Sequence, residues 1–290
     1  MRPLSCYGHG VDELPGLTSR QRELIARWLP DAHLVAEHSW QLVGTTVLEL
    51  AGPSGRVIVK AGDAQDHHIA RELRAHRTWL GVWTRTGRAP LLLHAEDAAK
   101  LLVTRYLPGR LVEGDPAQDA PGTYRQAGRL LADFHGQHRE LAADWTTRLR
   151  DRVLGWLAGP HRIPAPAVRA LRAEITRWED GEDVALVPTH GDWQPRNWLI
   201  DEGEVRVIDL GRFDLRPAVE DFARLARQDF ERDPRLEAAF LEGYGADPRE
   251  PALWRRTLVT EAVSTAAWSH RVGAGSFEQV GLRQIERLLA

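Results

Sequence analysis

The chain has 290 residues, 43% hydrophobic and 27% charged, with a formal net charge of -3, the balance of a soluble globular protein long enough for one large domain or two lobes. That charge, with no basic run interleaved by aromatics, argues against a nucleic-acid partner, and no apolar run of about 18 residues or more argues for a membrane helix. The single cysteine, Cys6, cannot pair within the chain, and the first ten residues lack the apolar core of a signal peptide, so a reducing, cytoplasmic setting is expected.

Thr18-Ser19 can cap a helix that runs to Trp28-Leu29, with Leu24, Ile25 and Trp28 on one face and Pro30 as the stop. Strands are predicted at Leu34–Ala36, Thr45–Leu50 and Arg56–Ala61, the last two joined by Gly52-Pro53-Ser54-Gly55 as a hairpin. Lys60 closes the third strand. Of 38 basic residues only Lys60 and Lys100 are lysines, so Lys60 marks a place that requires a compact ammonium in an otherwise arginine-based chain.

From His67 to Leu80 the spacing of Ile69, Leu73, His76 and Leu80 predicts a helix, and Glu72 falls on its inward stripe. An inward carboxylate requires a partner, for which Lys60 is the natural candidate. The alternative is a surface acid paired with Arg71 or Arg74. Strands follow at Pro90–Ala95 and Leu101–Tyr106, then Leu107-Pro108-Gly109. Beyond Gly109 the pattern is mainly helical: Tyr124, Ala127, Leu131 and Phe134 mark one helix, with two more at Leu149–Leu157 and Val168–Trp178.

The most informative stretch is Thr189-His190-Gly191-Asp192-Trp193-Gln194-Pro195-Arg196-Asn197, running into the apolar Trp198-Leu199-Ile200, a polar turn, and the return strand that ends at Ile208-Asp209. This reads as a β-hairpin with Asp192, Asn197 and Asp209 at its open end. Three oxygen-bearing side chains on rigid strands suit a hard cation such as Mg²⁺, which leaves coordination positions for phosphates. Taken singly, each is also an ordinary loop or capping polar residue.

His190-Gly191-Asp192, Asn197 five residues after Asp192, and Ile208-Asp209-Leu210-Gly211-Arg212 together resemble the catalytic and metal-binding loops of the aminoglycoside phosphotransferase family. The resemblance implies a two-lobed α+β protein-kinase-like fold, with a β-rich nucleotide lobe over 1–107 and a helical lobe over 108–290. It implies a kinase that moves the γ-phosphoryl group of ATP or GTP to a hydroxyl of a small molecule. In it Asp192 matches the catalytic base, Asn197 and Asp209 the Mg²⁺ ligands, and Lys60, fixed by Glu72, the clamp on the α- and β-phosphates. The carbonyl of Thr104 and the amide of Tyr106 match the groups that read the nucleotide base, with Val103 lining the pocket. His190 matches a loop-supporting histidine, and Arg212 a structural arginine. Asp221 matches a brace for the catalytic loop; its plainer reading is an acid in a first helical turn.

The phosphate-covering loop, His38–Gly44, departs from the pattern, with one glycine where a GxGxxG would bring several amides to the phosphates. The stretch from Arg249 to Ala290 reads as two helices, which in the family shape the acceptor pocket. Glu220 and Glu261 could meet a cationic substrate there, although solvated rim acids is the favoured reading. The expected acceptor is an aminoglycoside or related cationic antibiotic, toward which the 30 acids against 25 arginines from Arg110 onward lean. Choline-, homoserine- or sugar-type acceptors are the alternative. The rivals from other classes are a nucleotide-binding regulator without catalysis and a metal-dependent hydrolase built on His190, Asp192 and Asp209, the latter short of further histidine ligands.

Overall fold

The computed structural model describes residues 14–40, 44–179 and 183–290. Helix α1 (Ser19–Trp28) starts at a capping box in which Thr18 and Gln21 exchange side-chain and backbone hydrogen bonds. Its Leu24 and Ile25 pack on an antiparallel sheet of β1 (His33–Glu37), β2 (Thr45–Gly52), β3 (Gly55–Gly62), β4 (Leu92–Glu96) and β5 (Leu101–Arg105), ordered β1-β2-β3-β5-β4. The Pro53-Ser54 turn fits because Gly55 takes a positive φ of 101°. On the other face, α2 (His68–Thr78) covers Leu102 with Ile69 and Leu73. The helical period extends less far than the sequence suggested: the chain breaks after Thr78 and restarts as the short α3 (Gly81–Thr84).

The second lobe contains both a helical body and three-stranded sheets. Strand β6 (Arg110–Leu111) joins the hairpin of β9 (Trp198–Asp201) and β10 (Glu204–Val207), while β7 (Glu140–Ala142), β8 (Val184–Thr189) and β11 (Asp214–Arg216) form another sheet. The helices are α4 (Pro121–His135), α5 (Trp145–Trp156), α6 (Ala165–Ile175), α7 (Ala223–Leu225), α8 (Pro234–Tyr244), α9 (Pro251–Arg271) and α10 (Gly275–Leu289). Strands β6, β7, β8 and β11 and helix α8 were not read from the sequence; the strands are two to six residues long, too short for an alternation to register. The first helical turn in which Asp221 was read is a 3₁₀ turn over Ala218–Phe222, followed by α7 and a π-turn over Ala226–Phe230.

One core joins α4, α8 and the β9–β10 hairpin through Tyr124, Phe134, Trp198 and Phe240, all fully buried. Trp193 belongs to it, stacked on Trp83 at 5.7 Å and edge-on to Trp198 at 5.5 Å. The loop that carries Asp192 is thereby anchored through the Trp193 indole in the lobe's main core. No helix among the described residues is long and apolar enough to cross a membrane.

Candidate active site

Lys60 sits mid-sheet, paired with Val47 on one side and Leu102 on the other, so its stem is fixed and only the ammonium reaches the cleft. Nζ meets both oxygens of Glu72 at 2.9 Å and Asp209 Oδ1 at 3.1 Å. Glu72 is buried, with its side chain 4% exposed, which rules out the surface pairing with Arg71 or Arg74. Burial opposes the charge on Lys60, but Asp209 and Glu72 outweigh it and hold the ammonium above its usual range. Lys60 in turn holds the Asp209 carboxyl well below the usual carboxylate range. Inward-facing His76 stays neutral, pushed down to about 4 by burial and by Lys60.

Asp209 follows β10 in the left-handed region at φ 68°. For a residue other than glycine this conformation is strained, and it turns the carboxylate out of the hairpin toward Lys60. Two further contacts tie this loop to α2: His68 Nδ1 donates to the Gly211 carbonyl at 2.9 Å, and Arg74 reaches Asp214 at 2.6 Å.

On the opposite strand, Asn197 donates Nδ2–H to the Asp192 carbonyl at 2.7 Å, leaving its side-chain oxygen to accept or ligate. The Ile208 amide bonds the Asn197 carbonyl at 3.0 Å, so Asn197 and Asp209 are neighbours across the hairpin mouth. No cluster of three His, Cys, Asp or Glu able to cage a metal exists among the described residues. An amide oxygen plus an always-ionised carboxylate fits a hard cation that takes its remaining ligands from phosphates and water.

His190 is a cross-brace. Its Nε2–H donates to the Ile208 carbonyl at 3.0 Å, Nδ1 accepts the Asp192 amide at 3.2 Å, and burial lowers its pKa, which keeps the ring neutral. Gly191, at φ 79°, leaves no room for a Cβ against the Arg212 carbonyl. Asp221 accepts the amides of His190 at 2.8 Å and Gly191 at 2.7 Å, and meets His135 Nε2 at 3.1 Å. It is 2% exposed, so it braces the loop rather than only capping a turn.

The nucleotide-base groups need correction. The Tyr106 amide donates to the Arg56 carbonyl at 3.0 Å, and the Tyr106 ring lies under the Arg56 guanidinium. Backbone groups alternate sides along a strand, so the Thr104 carbonyl also faces β3, toward its register partner Ile58. The Arg105 amide instead faces outward to the Leu91 carbonyl at 2.8 Å. The outward groups at the end of β5 are therefore the Arg105 carbonyl and the Leu107 amide, the latter without a partner among the described residues. The Thr104 carbonyl and Tyr106 amide named from the sequence are thus turned toward β3, since successive residues of a strand face opposite sides.

Asp192, 4% exposed, is surrounded by cations: Arg196 bonds Oδ2 at 2.6 Å, and Oδ1 takes Gln194 and the Arg224 guanidinium. Beyond it a pocket is closed by α9. Glu220 and Glu261 line it, each with its side chain 22% exposed, and neither is a solvated rim acid. Burial opposes ionisation of Glu261, but Arg224 and Arg227 hold it at about 2. Glu220 is pushed up to about 7 by burial, against the pull of Arg216 and Arg152. Above an unfolded value near 4.5, such a shift gives stability that is full below pH 4.5 and lost as pH rises through about 7. Glu220→Gln should therefore gain on the order of 2 kcal/mol relative to wild type between pH 5 and pH 8 in urea denaturation; a difference independent of pH would refute the assignment.

Of the phosphate-covering loop, residues 41–43 lie outside the described residues. Ser39 Oγ accepts the Val47 amide at 3.1 Å, and Trp40 leans across to Trp268 and Phe277, each 6.4 Å away between ring centroids.

Residues 45–254 match the model of the phosphotransferase enzyme family. The chain belongs to that family. An aminoglycoside 3'-phosphotransferase of Streptomyces fradiae is 27% identical over 251 residues, which is 72% of this chain and 89% of that protein. Among solved structures, a thermostable mutant of the aminoglycoside phosphotransferase APH(4)-Ia, in a ternary complex with ADP and hygromycin B, superposes with a TM-score of 0.68 at 14% identity, covering 93% of this chain and 98% of that one. A choline/ethanolamine kinase family protein from Mesorhizobium loti gives 0.63 at 16% identity over 96% and 92%. Spectinomycin phosphotransferase APH(9)-Ia, in complex with ADP and spectinomycin, gives 0.61 at 12% identity over 92% and 96%. The protein is thus a phosphotransferase acting on hydroxyl groups, with the two-lobed kinase-like fold that the sequence motifs implied.

Proposed function

We propose that this phosphotransferase moves the γ-phosphoryl group of ATP to a hydroxyl of a small cytoplasmic metabolite. The observation that carries the reading is the convergence of Lys60, Glu72 and Asp209 across the cleft, beside the loop that leads into β9 and holds Asp192 and Asn197. Lys60, steadied by Glu72, would clamp the α- and β-phosphates, and the Arg105 carbonyl and Leu107 amide would meet the adenine edge. The Asn197 side-chain oxygen and Asp209 would hold Mg²⁺, which when bound neutralises charge on the phosphate oxygens.

Asp192 would accept the hydrogen bond of the incoming hydroxyl and orient its oxygen toward the γ-phosphorus. As that oxygen bonds to phosphorus, the bond from phosphorus to the β,γ-bridging oxygen breaks, and the hydroxyl proton passes to Asp192 and then to solvent. Positioning and charge stabilisation supply most of the rate in this chemistry, so the work asked of Asp192 is chiefly to orient the acceptor.

For the acceptor, the likeness to the Streptomyces fradiae enzyme makes an aminoglycoside one reading. The arginines around Asp192 favour the other, a metabolic hydroxyl compound, because a polycation would enter against like charge. A nucleotide-consumption screen with ATP and then GTP, over antibiotics, amino alcohols, sugars and hydroxy acids, tests both. Magnesium-dependent ATP consumption with one class is expected. Tight Mg-ATP binding with no transfer to any class would make the protein a nucleotide-binding regulator instead.

A further inference from the structure

Five arginines from separate turns of the second lobe gather on the acceptor side of Asp192. Arg224 bonds both Asp192 and Glu261, the latter at 3.1 Å, and Arg196 bonds Asp192. Arg227 approaches Glu261 at 3.3 Å, while its buried Nε has no hydrogen-bond partner among the described residues. Arg216 lies against Gly191, donating to the Arg212 carbonyl at 2.9 Å and standing 3.6 Å from Glu220. The Arg212 guanidinium is part-buried with no hydrogen bond or ion pair among the described residues, although Glu261, Arg196, Asp209 and Arg216 all act on it electrostatically.

The facing acids do not balance this charge. Asp192 and Glu261 serve Arg196, Arg224 and Arg227 between them. Asp221 is consumed by two backbone amides and His135, and Asp209 by Lys60. Glu220 is left to Arg216 at a distance too long for a hydrogen bond. Like charges held together out of water repel strongly, and Arg212 and Arg227 each lose readiness to hold a proton to burial and to neighbouring arginines. A planar guanidinium set of this kind is built to receive a carboxylate or phosphate by paired N–H donors.

Building on the kinase reading above, we propose that the acceptor carries an anionic group, a carboxylate or a phosphate ester, received by Arg212, Arg216 and Arg224 next to the hydroxyl that Asp192 orients. In taking Arg224, that anion releases Asp192 Oδ1 to accept the hydroxyl. Acceptor binding and assembly of the reactive geometry then become one event. An uncharged acceptor leaves Arg224 on Asp192, and a polycationic one meets the arginines directly.

Calorimetry on the full chain with Mg²⁺ and a non-hydrolysable ATP analogue tests this with matched probes: glycerate against glyceramide, and glycerol 3-phosphate against glycerol. The anionic member of at least one pair should bind tenfold tighter or more, the preferred pair distinguishing carboxylate from phosphate. Arg212→Gln should remove that preference while leaving analogue affinity within about threefold, and Arg227→Gln should weaken the anion by a smaller factor. Equal binding of charged and neutral members would overturn the proposal. So would an Arg212→Gln variant that loses the nucleotide analogue instead, since the arginines would then serve the triphosphate. Failure of the wild type to bind the analogue at all is a separate result and strikes the kinase reading itself.

Discussion

Asp192→Asn is expected to lower the turnover of phosphoryl transfer by about 10²–10⁴-fold while leaving KM for ATP within about threefold. Asparagine matches the shape, but it replaces one oxygen by an amino group and removes the charge. The oxygen facing Arg196 at 2.6 Å and the one facing Gln194 and Arg224 cannot both be kept. Whichever way the amide is turned, an N–H points at a donor, and no carboxylate is left to take the hydroxyl proton. The bonds from Lys60 to Glu72 and Asp209, which the proposed nucleotide site relies on, are untouched. The discriminating measurement is therefore steady-state kinetics with both substrates varied. A variant with near wild-type turnover would remove Asp192 from the mechanism.

The parts of this site that were legible in the sequence are those set by short-range pattern. Asp192, Asn197 and Asp209 flank the open end of one hairpin, β9–β10, whose pairing brings them together once the hairpin is recognised. Lys60 stood out against an arginine background, and Glu72 through helical period. The direction of the backbone groups at the end of β5 was not legible for an equally physical reason: which of them face outward depends on how β5 pairs with β3, and no residue type along Thr104–Leu107 records that register.

The arginine cluster beside Asp192 was not legible because charge was summed along the chain. The acids outnumber the arginines from Arg110 onward, yet Arg196, Arg212, Arg216, Arg224 and Arg227 come from a loop, a strand and irregular helical turns with no common spacing. They meet only because Asp221 and the Trp193 anchor hold the catalytic loop against the 3₁₀ turn and α7. Glu220 and Glu261, read as rim acids, are counter-charges inside that cluster.

Asp221→Ala carries the second large effect, through the scaffold. The carboxylate is fully enclosed, with a side-chain exposure of 0%, and accepts from two consecutive backbone amides and His135. Removal leaves those amides and the imidazole without an acceptor where water does not reach, a loss of about 3–5 kcal/mol for breaking a buried pair. Burial opposes ionisation of Asp221, but His135, His190 and the Gly191 amide overcome it and hold its pKa below 3.8. A depressed carboxylate gives stability that is present above pH 3.8 and lost as pH falls through the lower native value. The alanine variant should therefore be less stable at neutral pH, with the gap narrowing on acidification as the wild type loses this contribution. Urea denaturation at pH 7 and pH 3 reads both. Without the Asp221 carboxylate the His190-Gly191 turn, which positions Asp192, loses the bonds that hold it in place. The fraction that stays folded should thus keep its affinity for ATP and lose turnover. A variant of wild-type stability would mean that the loop is held by Trp193 and His190 alone.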